Sequence, residues 1–132
     1  MSVLFAQEEG DKYYHLNPPF FLSNTDSTLV ISNIINTDIQ SGRVYFYLTI
    51  DSCYTITHFN VLRVDIDTCD GKEYFFNKNF NDKTLNKLPS NLNIDILLPY
   101  LERRIRKIKV IKNQKCKYHQ GGRCVVMFNL RK

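Results

Sequence analysis

The chain has 132 residues, 43% of them hydrophobic and 13% aromatic, and a formal net charge of +5. That is the size of one ordinary domain around one core, and no run approaches the eighteen or so continuous apolar residues that a membrane span needs. Met1 to Glu9 carry neither a basic leader nor a long apolar stretch, so no secretory signal is expected, and the four cysteines are read as reduced thiols of a soluble, intracellular protein of cytoplasm or nucleus.

In chain order, residues 1–27 read as an acidic N-terminal arm, with Glu8, Glu9 and Asp11 ahead of Tyr13-Tyr14 and the extended Asn17-Pro18-Pro19-Phe20-Phe21, and with room for short edge strands. Residues 28–80 read as a β-meander. Thr28 to Ile35 is a mostly apolar run closed by the loop signals Asn36-Thr37-Asp38 and Ser41-Gly42. Arg43 to Ile50 is the clearest strand, because Val44, Phe46, Leu48 and Ile50 alternate with Tyr45, Tyr47 and Thr49. Across Thr55 to Asp67, the residues Ile56, Leu62, Val64 and Ile66 keep one phase with Tyr54, but His58 and Asn60 interrupt it and mark a bulge or two shorter strands. Asp70-Gly71 predicts a hairpin turn into Glu73 to Phe76, and Phe80 to Leu92 predicts a loop.

One amphipathic helix is expected over about 94–108, since Ile94, Leu97, Leu98, Leu101, Ile105 and Ile108 fall on one stripe. Pro99 is expected in the first turn, which would start the regular helix near Leu98. The opposite face carries Glu102, Arg103, Arg106 and Lys107, with Glu102 and Arg106 spaced for an i, i+4 pair. Residues 109–131 read as a basic β-hairpin closing around His119-Gln120-Gly121-Gly122. The fold class is α+β: mostly antiparallel sheet, or a small OB-like barrel, with one helix. The order of elements resembles that of the five-stranded OB barrel, in which a helix separates the third and fourth main strands.

The charge is unevenly distributed. Eleven of the eighteen Lys and Arg lie between Arg103 and Lys132, a stretch with none of the thirteen Asp and Glu. An ordinary surface mixes signs to limit self-repulsion, so this asymmetry points to a polyanionic partner, nucleic acid first. The expected contacts are Arg103, Arg104, Arg106, Lys107, Lys109, Lys112, Lys115, Lys117, Tyr118 and Arg123. On an OB-like sheet Arg43, Tyr45, Tyr47 and Arg63 would face the binding groove, tyrosines stacking on bases and cations meeting phosphates. The leading expectation is a non-catalytic binder of single-stranded DNA or RNA. The alternative is a small interaction protein or accessory subunit that docks its basic face on an acidic protein. A third reading folds the acidic arm onto the basic tail. A membrane role is not expected, because strands follow the helix and its stripe lacks Trp and Phe.

Other chemistry is weakly signalled. Cys116, His119 and Cys124 offer three ligands in a Cys-x2-His-x4-Cys spacing, but a closed zinc site needs four, so no cofactor is expected. The alternative is a nuclease: Asp65 and Asp67 share one strand face and could hold a divalent ion for phosphodiester cleavage, while His15, His58 and His119, which an acid–base ribonuclease would use, are scattered. Without a glycine-rich phosphate loop, nucleophile elbow or zinc-protease motif, catalysis is not expected.

Overall fold

A computed structural model describes residues 3–6, 20–23, 27–77, 87–114 and 121–132. In chain order these form β1 (Val3–Ala6), β2 (Phe20–Ser23), β3 (Thr28–Val30), a 3-10 turn at Ile31–Asn33, β4 (Ile39–Ile50), β5 (Ile56–Thr68), β6 (Glu73–Asn77), a second 3-10 turn at Ser90–Leu92, α1 (Ile94–Arg106), β7 (Lys109–Lys112) and β8 (Gly122–Arg131). Six of these strands make one mixed sheet in the order β1-β8-β4-β5-β6. β1 runs antiparallel along Arg123 to Val126 of β8, and β3 runs parallel along Asn129 to Arg131 on the same edge. β2 and β7 form a separate two-stranded ribbon.

The core follows from alternation. Val44, Phe46, Leu48 and Ile50 of β4 point to one face, and the register sets Val44 beside Phe128, Phe46 beside Val126 and Leu48 beside Cys124 of β8. Phe46 and Phe128 meet edge to face with ring centroids 5.8 Å apart, a preferred aromatic geometry. α1 covers this inner face, its Ile94, Leu97, Leu98, Leu101 and Ile105 buried in the same cluster. Each such side chain contributes about 1.5–3 kcal/mol relative to leaving it exposed. This explains why the helix tolerates Pro99, which sits inside α1 rather than in a first turn. A proline in a helix interior costs about 3 kcal/mol, less than the buried stripe returns, and Asp95, whose carbonyl loses its partner, is solvent-exposed like Pro99.

The interrupted phase of β5 is resolved by two bulges. Tyr45 pairs with Arg63 but Phe46 with Val61, and Thr49 pairs with His58 but Ile50 with Ile56. Leu62 and Thr57 are thus the extra residues. Between them the phase flips, so Phe59 and Val61 pack on the core while His58 and Asn60 turn to the outer face. The Asp70-Gly71 hairpin forms as expected, with Gly71 at φ 84° and β6 antiparallel to β5.

Two expectations change. The sheet does not close into an OB-like barrel: β6 ends it on one side, and β1 and β3 line the far edge of β8. The basic hairpin does not pair with itself either, since β7 joins β2 and β8 inserts between β4 and β1. The reason is length and phase. β8 carries an inner row of Cys124, Val126, Phe128 and Leu130 that matches β4 over ten positions, which a four-residue β7 cannot rival.

The start of α1 is bolted to the loop ahead of β4. The Thr37 hydroxyl donates to the Leu92 carbonyl, the Asn93 amide donates to the Asn36 carbonyl, and the Asn91 amide donates to the Asp38 carboxylate. Asn93 begins the helix at φ 56° and ψ 37°, a left-handed conformation that Asn tolerates better than most residues. No helix among the described residues is long and apolar enough to cross a membrane.

Leu101→Ala should cost about 2–5 kcal/mol in a urea melt, whereas Ile96→Ala, on a side chain 53% exposed, should stay within about 0.5 kcal/mol. Gly121→Ala should destabilise as strongly as the core change, because Gly121 has φ +66° and a Cβ there would stand 2.3 Å from the Ile50 carbonyl oxygen. A Gly121→Ala melt matching the wild type would refute that close approach.

Candidate functional site

The sequence-predicted binding residues fall on two opposite sides of the sheet. Arg43, Tyr45, Tyr47 and Arg63 do share one face, the outer one, across adjacent strands: Arg43 beside Asp65, Tyr45 beside Arg63, and Tyr47 beside Asn60. Arg123 joins them at the far end, opposite Thr49. The helix cations lie on the other side, over the inner face that α1 covers. No single surface therefore gathers the whole set.

The outer face is aromatic and nearly charge-balanced. Arg63 sits between two rings, its guanidinium carbon 5.2 Å from the Tyr45 centroid and 4.8 Å from that of Phe75. It also forms an ion pair with Asp65, Nη2 to Oδ2 at 2.9 Å, and donates from Nε to Oδ1 at 3.3 Å. The hydrogen bond to Asp65 holds the Arg63 pKa above its ordinary value. Asp65 is thereby committed to a cation rather than to a metal-binding pair with Asp67, which accepts a 3.4 Å hydrogen bond from Ser41. Among the described residues, no three His, Cys, Asp or Glu side chains are grouped to hold a metal ion. His58 is on this face beside Thr57, with Nδ1 and Oγ1 3.1 Å apart; His15 lies outside the described residues.

The last turns of α1 make a different environment. Tyr100, Arg103, Arg104 and Lys107 line a hollow of about 320 Å³. Helical spacing puts Tyr100 beneath Arg103 and Arg104, whose guanidinium carbons lie 5.8 Å and 5.5 Å from its ring centroid. Arg104 donates from Nη2 to the Tyr100 hydroxyl at 3.2 Å. Cations at a helix C-terminus are favoured by the dipole, and among the described residues no carboxylate lines this hollow. Planar guanidinium groups held by a ring suit bidentate contacts to phosphate oxygens. Arg106, expected to pair with Glu102, lies instead over the Phe59 ring at 5.6 Å.

The remaining cations divide further. Lys109 and Lys112 lie on β7, opposite Ser23 and Phe20 of β2, while Lys115, Lys117 and Tyr118 lie outside the described residues. Cys124 leaves the weak metal set: it is fully buried on the inner face beside Leu48, and burial pushes its thiol up to about 12. Its two suggested partners, Cys116 and His119, lie outside the described residues. Glu8, Glu9 and Asp11 of the acidic arm do too, although β1 just ahead of them runs along β8, with Ala6 opposite Arg123.

Sequence reasoning missed Tyr100, Phe59, Phe75 and Tyr54. Tyr100 was findable, since it stands three and four residues before Arg103 and Arg104 on a helix. Phe59 was hidden by the bulges. No family model matches the chain, and comparison with curated proteins and with solved structures finds no match.

Cys53 and Cys69 are exposed free thiols and Cys124 is a buried one. A thiol reagent at pH 8 should label the first two in the folded protein and Cys124 only on unfolding. Because the folded Cys124 pKa is raised from 9.0 to about 12, its stabilising contribution is complete below pH 9 and is lost as pH rises from 9 towards 12. Mass spectrometry showing Cys124 labelled as fast as Cys53 would contradict its burial.

Proposed function

We propose that the chain is a non-catalytic nucleic-acid-binding protein that holds single strands of DNA or RNA through the basic end of α1. The observation that carries this reading is the gathering of Arg103, Arg104 and Lys107 with Tyr100 around one hollow, two guanidinium groups lying against its ring. A strand meets both of its needs there, since its phosphates face cations and a base can stack on an aromatic ring. Such contacts are sequence-tolerant and release counterions. The outer-face residues Tyr45, Tyr47, Arg43 and Arg63 become a secondary candidate. Their cation at the centre, Arg63, already has a carboxylate partner in Asp65.

A second reading is favoured by one other feature. Phe21 of β2 and Ile111 of β7 are cross-strand partners, and both remain about half exposed at 49% and 50%, next to Lys109. An apolar pair beside a cation suits an accessory subunit docking on an acidic protein. That protein would bind generic oligonucleotides weakly and one partner tightly.

Fluorescence anisotropy with labelled single-stranded DNA, single-stranded RNA and duplex DNA over a salt series separates the two. Binding should be salt-steep and favour single strands. Replacing Arg103, Arg104, Arg106 and Lys107 together by Gln should reduce the slope of log K against log salt by about 3, at about 0.7 per phosphate contact. Tyr45→Ala with Tyr47→Ala, on the opposite face, should change affinity far less. If the quadruple variant binds like the wild type, or no oligonucleotide binds at modest salt, the reading falls.

A further inference from the structure

We infer that a second hollow, where the end of α1 meets the starts of β5 and β7, receives one nucleobase of the bound strand, with the adjoining phosphate on Arg106 and Lys109. This rests on the single-strand reading above and specifies how it is achieved. The hollow holds about 490 Å³ and is lined by Tyr54, Phe59, Arg106, Lys109 and Ile111 among others, within the size range of sites that enclose small molecules.

Its wall has the composition a nucleotide requires. Phe59 and Tyr54 supply rings, and Arg106 supplies a planar guanidinium lying over Phe59; bases stack on both kinds of plane. Among the described residues two cations and no carboxylate line it, so a ligand with both a flat apolar body and a negative charge fits better than either alone. Continuity adds to this. Arg106 follows Arg103 by three residues and precedes Lys107, so the hollow around Tyr100 lies within about one helical turn of 5.4 Å. A strand with its base here has its next phosphates within reach of that cluster.

Tyr54 carries the independent observation. Its hydroxyl is buried and has no hydrogen-bond partner, and its backbone is held at φ 61°, a region that bulky residues rarely occupy. The turn that imposes this is built by Asp51, whose carboxylate accepts the backbone N–H groups of Cys53 and Thr55, both at 2.9 Å. Uncommon backbone and an unpaired polar atom are costs to the fold, and such costs gather at binding sites. A base edge that enters and displaces the side chain covering the hydroxyl supplies the acceptor or donor it lacks.

The test compares a labelled thymidine oligonucleotide with an abasic deoxyribose-phosphate oligomer of the same length, by anisotropy, for wild type, Phe59→Leu and Tyr54→Phe. The wild type should prefer the base-bearing strand about tenfold, the usual worth of a stacked base. Phe59→Leu should lose most of that preference, and Tyr54→Phe, which keeps its ring, should lose the part due to the hydroxyl. Because the preference is the ratio of the two affinities within each variant, a change in the phosphate hold common to both strands cancels. Tyr54→Phe removes a buried unpartnered hydroxyl, so its melting temperature should be no lower than the wild type's, which separates a lost contact from a lost fold. Equal wild-type affinity for the two strands overturns the base site while leaving the single-strand reading intact. A preference that survives both variants places the base elsewhere and also overturns it. If neither strand binds at modest salt, both readings fall together.

Discussion

The apolar row of β4 is what the rest of the structure depends on. Val44, Phe46, Leu48 and Ile50 are flanked by β5 on one side and β8 on the other, and the stripe of α1 shares their buried cluster. Every other placement is a consequence. β8 must lie in the middle of the sheet because only its alternation is long enough to extend the row. β7, left without it, joins β2, and the short N-terminal strands settle on whatever edges remain. The clamp between residues 36–38 and 91–93 then fixes where the helix begins, and so which of its residues reach the start of β5.

The same packing decides the electrostatics. With one face of α1 committed to the core, its cations are confined to the exposed side and to the last turns, and Tyr100 organises two of them. The outer face of the sheet receives the opposite arrangement, with Arg43 and Arg63 answered by Asp65 on a neighbouring position. A contiguous run of positive charge in the chain thus becomes one concentrated patch at a helix end plus scattered cations elsewhere.

Local periodicity was readable in the residues themselves. The alternation of Val44 to Ile50, the stripe of α1 and the Asp70-Gly71 turn depend on neighbours a few positions apart, and the structure contains all three. Pairings between distant strands were not readable. His119-Gln120-Gly121-Gly122 suggests a local hairpin, yet the energy lies in matching Cys124, Val126 and Phe128 to β4, some eighty residues earlier. The phase of Cys124 with Val126 and Phe128 already implied that its thiol faces inward. The role of Phe59 had no such trace, because two bulges reverse which residues of β5 point to the core. For the candidate binding residues, type and charge were legible, but not which side of the sheet each would occupy; that is set by the position of α1.

β8 occupies the interior of the sheet although it is the last strand in the chain, and its partners begin at Val3, Thr28 and Ile39. During synthesis, β4, β5 and β6 can form a meander and α1 can emerge beside it, but the inner row of β4 stays half-covered until residues 122–131 leave the ribosome. The nascent chain therefore carries an unpaired, apolar strand edge from the emergence of β4 until that of β8. Most contacts among the described residues span long sequence separations, a topology that folds slowly and that exposes an aggregation-prone edge until β8 is in place. Residues 122–131 act as the closing step of the sheet, and removing them takes away its centre rather than its margin.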